Sequence, residues 1–215
     1  MASVKKFTKN AVVNQLRHNL REIENPSNED IDSTQSSKNY SLNKQRSISD
    51  YQYFKRRMDQ LYCYQRDDVK VLAGWVITAP QDLPETDHQL FFKACDHFLK
   101  QRYGEQNCIQ SIVHKDESGQ PHLHFLFIPV VPDKKHGGEK VCANDVLNRK
   151  ELSNFHPALQ KFLNLNNINA NVTSGITKEQ GGNRTVKEMK LERKIEIKYE
   201  QKQEYSYASG KESRW

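Results

Sequence analysis

Hydrophobic positions along the chain switch between two periods. After "VKKFT", which suits a short strand, Val13, Leu16, Leu20 and Ile23 recur at the spacing of an amphipathic helix, one that ends near Pro26. Residues 25 to 47 hold almost no apolar side chains and read as a long irregular loop, a length that points to function or disorder. Tyr51, Phe54, Met58 and Leu61 mark a second helix from about Ser49 to Gln65, with Lys55, Arg56 and Arg57 clustered nearby. "VKVLAGWVITAP" predicts a strand closed by Pro80. A third helix is predicted over residues 86 to 103, because Phe91, Phe92, Cys95, Phe98, Leu99 and Arg102 share a face and Gly104 sits where a C-cap belongs.

The runs "CIQSIVH" and "HLHFLFIPV", joined by "KDESGQP", most simply make an antiparallel hairpin. A basic, glycine-containing segment, "PDKKHGGEK", follows. Asn148 with Glu151 is a capping-box signature for a helix to about Leu163, interrupted or restarted at Pro157. "INANVTS" predicts a last short strand. From Lys178 the chain is strongly charged, and Thr185 with Glu188 opens another helix, to about Gln203, whose narrow stripe of Leu191, Ile195 and Tyr199 suits light docking or projection. This order predicts an α+β fold with a mainly antiparallel sheet in residues 1–177 and a charged helical extension over 178–215.

Composition narrows the partners. Against 33 Lys and Arg stand 27 Asp and Glu, a net charge of +6, so polyanions are the natural partner class wherever the basic excess is local. No apolar run reaches the ~18 residues of a membrane span, and "MASVKKFTKN" lacks a signal-peptide core, so the expectation is a cytoplasmic protein without a membrane segment. Cys63, Cys95, Cys108 and Cys142 are far apart and form no C-x-x-C pair, which suits reduced thiols.

The hairpin changes the picture most. Side chains alternate along a strand, so His122 and His124 share a face, and across the hairpin His114 falls opposite them. Three imidazoles at one point suit a divalent ion and leave coordination positions open for substrate or water, as catalysis requires. Glu117 is either an oxygen ligand or a solvated turn acid, and Asp116 reads as a turn residue. His136 reads as solvent exposed, and His88, His97 and His156 as isolated surface or helix positions.

On the first helix, His18 lies about 200° around from Leu16, away from the expected core stripe of Leu16 and Leu20, and Arg21 follows one turn later. A cation there would favour a neutral, nucleophilic imidazole and offer a phosphate contact; the alternative is a solvated helix face. In the loop, "DID" lacks the glycine and closing glutamate of an EF-hand. Asn28, Asp30, Asp32, Asn39 and Tyr40 make a polar set with one aromatic, suited either to nucleobases or simply to solvent.

"RHNLRE…NEDIDSTQSSKNYSL", "GWVITAP" and "HKDESGQPHLHFLFIP" resemble the three successive motifs of the Pre/Mob (MobV-type) plasmid mobilisation and recombination relaxases, in the His-hydrophobic-His endonuclease superfamily. The resemblance covers roughly residues 1 to 175. It implies a central antiparallel sheet carrying the H-x-H strand, with helices packed on one side. It implies nicking of one DNA strand at a transfer origin, a covalent 5′-phosphate adduct and rejoining, with single-stranded and hairpin DNA as partners and conjugation coupling machinery as a further one. His114, His122 and His124 would hold Mn2+ or Mg2+, with Glu117 in or beside that shell. His18 would be the nucleophile, and Tyr40 is its rival. Arg21 would order the site. Arg17, Asn19, Asn28, Asp30, Asp32, Asn39, Tyr40, Lys44, Arg46 and Arg56 are the candidate DNA contacts, and Lys5, Lys6, Arg57, Lys134 and Lys135 could also track the strand. Family members are commonly longer, with a coiled-coil region, so this chain of 215 residues reads as a fragment or a minimal variant of unknown oligomeric state. Two other classes remain open: a DNA-binding module with a structural metal, and a nuclease that uses activated water.

Overall fold

Ala73, Trp75 and Ile77 alternate with Leu72 and Gly74, and this run becomes the strand around which the rest is built. In a computed structural model, which describes residues 2–24, 26, 28–173 and 198–199, the chain divides into two units, Met1–Ser174 and Gly175–Trp215. The first contains strands β1 (Ala2–Thr8), β2 (Tyr40–Ser41), β3 (Lys70–Thr78), β4 (Cys108–His114), β5 (His122–Phe127), β6 (Val130–Pro132) and β7 (Glu139–Val141). Its helices are α1 (Val12–Asn19), α2 (Asp50–Met58), α3 (His88–Tyr103), α4 (Ala143–Val146) and α5 (Arg149–Leu165). The sheet is antiparallel throughout, in the order β1-β3-β5-β4-β2, and β6 pairs with β7 in a separate hairpin.

Period-two alternation splits the sheet into two packed faces. On one, Trp75, Ile77, Phe125 and Phe127 meet Phe91, Phe92 and Phe98 of α3 and Phe155 and Leu159 of α5. Trp75 stacks on Phe155 at 3.5 Å, and its indole donates to Tyr103 Oη, which donates to Glu151; that carboxylate also takes Arg102. On the other face Leu72, Ile109, Leu126 and Ile128 meet Val12 and Leu16 of α1 and Phe54 of α2. Gly74 makes room there, because a Cβ would lie 2.6 Å from Leu126 Cδ2 and force that side chain to shift. The α+β class and the antiparallel sheet carrying the H-x-H strand therefore stand, with helices on both faces and not one.

Several boundaries differ from expectation for visible reasons. The first helix stops at Asn19, well short of Pro26, and buries Val12, Leu16 and Asn19 while Val13 and Leu20 are exposed. Arg21 takes a φ of 60°, which ends the helix by a left-handed turn and sends its side chain toward Asp116. The second helix opens on a capping box between Ser49 and Gln52 but ends at Met58. Within the expected loop, Tyr40–Ser41 adds the fifth strand against β4, preceded by a 3-10 turn over Ser33–Lys38. The basic "PDKKHGGEK" segment forms the β6–β7 turn, with Gly137 and Gly138 at positive φ.

Helix α5 begins at an Asn148 cap and runs unbroken through Pro157. Both Pro157 and the Ser153 carbonyl that loses its donor lie on the solvent side, where water can satisfy the carbonyl. "INANVTS" is not a strand: Ile168, Ala170 and Val172 enter the core, and the Gln160 side chain bonds Ala170 O and Val172 N in place of a neighbouring strand. The four cysteines are free thiols. The helix expected from Thr185 to about Gln203 lies outside the described residues except at Lys198 and Tyr199.

Candidate metal centre and active site

The hairpin register sets His114 directly opposite His122, with His124 two residues along the same face. Their ring centroids are 4.5 to 5.6 Å apart, and one ligand atom from each of His114, Glu117, His122 and His124 lies within 4.8 Å of the others. The spare nitrogens are fixed by outer partners. His114 Nε2 lies 2.8 Å from the Asn19 carbonyl and His122 Nδ1 3.2 Å from the Gln120 carbonyl, so each donates there and presents its other nitrogen to the centre. His114 Nδ1 and His124 Nε2 are buried without any hydrogen-bond partner. Orphaned imidazole nitrogens in a closed polar cluster are costly unless something electrophilic takes their lone pairs, so the donor set fits a divalent ion.

Burial and neighbouring charge keep His114 and His124 neutral. Burial, then the Arg21 guanidinium, push His114 down to about 4, and burial with the neighbouring imidazoles carries His124 well below its ordinary value. Glu117 does the reverse: burial would raise its carboxyl, but His122 and Arg21 hold it well below the usual carboxylate range. Its Oε1 is 2.8 Å from Arg21 Nη2, 3.6 Å from His122 Nε2 and 3.9 Å from His114 Nδ1, and Oε2 accepts from Asn28 at 3.1 Å.

The residue that sequence reasoning undervalued is Asp116. It does sit in the turn, yet its carboxylate is buried and accepts from Arg21 Nε (2.8 Å) and Nη2 (2.6 Å), Ser36 Oγ (2.7 Å) and Asn39 Nδ2 (2.7 Å). Its own carbonyl accepts from Asp32 N, and Asn39 Oδ1 accepts from Lys115 N. Asp116 therefore pins residues 32 to 39 and Arg21 to the mouth of the histidine cluster. A signal was present, since a Ser, an Asn and an Arg are natural donors to a carboxylate, but nothing local pairs residues 77 to 95 positions apart.

His18 lies on the half-buried side of α1, beside Arg21 in a cleft also lined by Ile31, Ser33 and Ser36. Burial first and Arg21 second lower its pKa, and its ring has no hydrogen-bond partner among the described residues. Tyr40 is elsewhere. It pairs in register with Val113 and packs into the α3 and α5 core, which places its phenol on the opposite face of the sheet from the histidines.

The candidate DNA contacts divide. Asn19 is buried, bonded to Gln15 and Gln110, and is corrected to an internal residue. Arg46 donates to the Cys108 and Ile109 carbonyls and to Asp50 and stacks on Tyr53, so it braces the sheet. Asp32 caps the 3-10 turn through Thr34, Asn28 is bonded to Glu117, and Asn39 is bonded to Asp116. Arg57 is buried against Asn107 and Glu139, and Lys6 reaches Asn144. Asp30 is half-buried, and Asn28 Oδ1 accepts from its backbone N–H. Arg17 is exposed, its guanidinium donating to the Glu22 carbonyl, and Lys5, Lys44, Arg56, Lys134 and Lys135 are exposed as well. His136 is not merely solvated, since it bonds Asp133 and stacks on Tyr62; His88 is buried on the Leu83 carbonyl, and His156 accepts from Ala2 N.

Comparison with known proteins agrees with this geometry. The chain is 32% identical over 141 residues to a plasmid recombination enzyme of Bacillus thuringiensis, covering 63% of this chain and 30% of the relative. It is 30% identical over 198 residues to a type 3 plasmid recombination enzyme of Mammaliicoccus lentus, covering 88% of this chain and 44% of the relative. It thus spans less than half the length of these relatives. Among solved structures it is similar to the MobM relaxase domain bound to plasmid pMV158 oriT DNA, in an Mn-bound crystal structure, with a TM-score of 0.72, 26% identity, and coverage of 89% of this chain and 97% of that one. With the plasmid recombination enzyme family model (Mob_Pre) matching residues 1–190, the chain belongs to that family.

Proposed function

We propose that this chain is a relaxase that nicks one DNA strand at a plasmid transfer origin, keeps the 5′ phosphate as a covalent adduct on His18, and can rejoin the ends. The observation that carries this reading is the convergence of two orphaned nitrogens, His114 Nδ1 and His124 Nε2, on His122, with a half-buried His18, whose ring has no hydrogen bond among the described residues, beside Arg21. Similarity to an Mn-bound relaxase domain in complex with oriT DNA supports it and favours manganese as the working ion. His114, His122 and His124 would hold the ion, and Glu117 stands at its rim, committed to Arg21 and Asn28. A divalent ion there supplies Lewis-acid withdrawal of charge from the scissile phosphate.

The chain's own residues do the rest. His18, kept neutral by burial and Arg21, offers a ring nitrogen lone pair to phosphorus. The P–N bond forms as the P–O bond to the 3′ oxygen breaks, the electron pair leaves with that oxygen, and a solvent proton neutralises it. Attack by the same hydroxyl on the phosphoramidate reverses the steps and restores His18. Exposed Lys5, Arg17, Lys44, Arg56, Lys134 and Lys135 provide phosphate contacts. The natural setting is the bacterial cytoplasm, with the rest of the transfer machinery as partner.

The test follows a labelled origin strand with Mn2+ on a denaturing gel. Expected are a nick, a protein-linked fragment released by mild acid, loss of both in His18→Ala, and retention in Tyr40→Phe. A structural metal module gives no nick, and a water-using nuclease gives a nick without adduct. An acid-stable adduct that vanishes in Tyr40→Phe would move the nucleophile to Tyr40.

A further inference from the structure

Between the metal-site face of β4 and the two short helices lies a buried polar chain that no part of the mechanism above uses. Gln110, 1% exposed, stands on β4 four residues before His114 and so on the same face. Its Oε1 accepts from Asn19 Nδ2 at 3.2 Å, and its Nε2 donates to the Leu16 carbonyl at 3.3 Å and to Asp50 Oδ2 at 2.9 Å. Asn19, also 1% exposed, is the last residue of α1, and its carbonyl takes the His114 Nε2 proton at 2.8 Å. Asp50, the first residue of α2, is held in turn by Arg46 at 3.2 Å.

We infer that Gln110 is a positioning residue: by anchoring the last turn of α1 through Asn19 and Leu16, it holds the Asn19 carbonyl against His114 and so locks the imidazole as the Nε2–H tautomer with Nδ1 facing the metal centre. The physical need is plain. A neutral imidazole must choose one nitrogen for its proton, and only the tautomer with a bare Nδ1 can donate a lone pair inward. The choice is made by an acceptor at the end of a helix that is two turns long, and a short helix end frays unless tied. Two amides do the tying. Burying Gln110 and Asn19 is tolerable because each is bonded to the other, and all three Gln110 contacts connect separate elements. His18 precedes Asn19 directly, so the same clamp ties down the turn of α1 that carries it. The role of His114 as a ligand rests on the proposed function, whereas the clamp geometry does not.

The experiment uses the full chain without DNA. Calorimetry measures Mn2+ affinity, and imidazole nitrogen–proton spectra of the metal-free protein report the His114 tautomer. Gln110→Glu places a second carboxylate against Asp50 and should weaken Mn2+ by about 10-fold or more, the usual scale for loosening a ligand's outer partner, with loss of the single Nε2–H signature. Adding Asp50→Asn reverses donor and acceptor along that contact while sparing the bond from Asn19; the Leu16 carbonyl still loses its donor, so affinity should return only in part, to within about fivefold, with the Nε2–H signature restored. Where Gln110→Glu alone fails to fold, a folded double variant with the single Nε2–H signature supports the clamp and a folded one without it overturns it; where neither variant folds, the metal-free unsubstituted chain decides, a single Nε2–H signal from His114 supporting the clamp and a mixture of tautomers overturning it. Wild-type affinity and tautomer in folded Gln110→Glu also overturn it. An unsubstituted chain that takes up no Mn2+ overturns the metal centre itself, a distinct failure from that of the clamp.

Discussion

Asp116 and the histidines obey opposite titration logic, and together they predict how acid acts on this molecule. His114 and His124 are held neutral, with His114 down at about 4, so between the ordinary imidazole value of 6.5 and that lower value the unfolded chain binds more protons than the folded one. The stability they contribute is fully present above 6.5 and is lost as pH falls toward 4. Asp116 and Glu117, held low by hydrogen bonds and neighbouring charge that outweigh burial, add a loss that begins as pH falls through their ordinary values of 3.8 and 4.5 and continues below them. The melting temperature of the metal-free chain should therefore fall from pH 6.5 to pH 4, and His114→Gln should flatten that slope. A profile level down to pH 4.5 in the unsubstituted chain would show that burial does not depress the imidazoles.

At the scale of elements, the site is a hairpin clasped by a loop. Asp32 N to Asp116 O, Asn39 to both Asp116 and the Lys115 N–H, and the short pairing of Tyr40–Ser41 with β4 turn residues 28 to 41 into a strap over the β4–β5 turn. Arg21 is the buckle, bidentate on Asp116 and reaching Glu117. Both side chains of the Arg21–Asp116 pair are shielded, so deleting Asp116 strips the guanidinium of its bidentate partner and leaves it Glu117 as its one carboxylate. Asp116→Ala should cost about 3 kcal/mol in chemical denaturation and release Arg21 from its left-handed conformation. Glu85→Ala, which removes an exposed partner of Lys115, should change little. Equal costs for the two would mean that the strap is held by its backbone alone.

At the scale of the whole molecule, the apolar core of the described residues lies within 2–173, where both faces of the sheet are covered. A chain ending near Gly175 should therefore stay folded and keep its Mn2+ affinity, which circular dichroism and calorimetry would check. An insoluble product would place part of the core beyond Ser174. DNA affinity should fall steeply with salt, since each phosphate contact releases counterions. Substituting exposed Lys134 and Lys135 together should lower the salt slope by about 2, whereas Arg46→Ala should destabilise the fold more than it changes the slope. An unchanged slope in the lysine variant would exclude that turn from the DNA path.

Local pattern settled a good deal. The alternation of "HLHFLF" and its distance from "CIQSIVH" are enough to bring His114, His122 and His124 together, because a hairpin is a short-range structure with one register that buries its apolar face. The same holds for α3 and for the cap of α5, whose stripe and capping residue are local properties. Long-range pairing decided the rest. Tyr40 faces away from the histidines only because a two-residue strand joins β4 in that register, and Asn19 is buried and Asn39 and Arg46 are bound within the fold because oxygens distant in sequence claimed their donors. A polar side chain looks the same in sequence whether its partner is DNA, water or a buried acid. Tertiary structure alone supplies the partner, and that is why the histidine cluster was legible in the sequence while the partners of Asp116 and Gln110 were not.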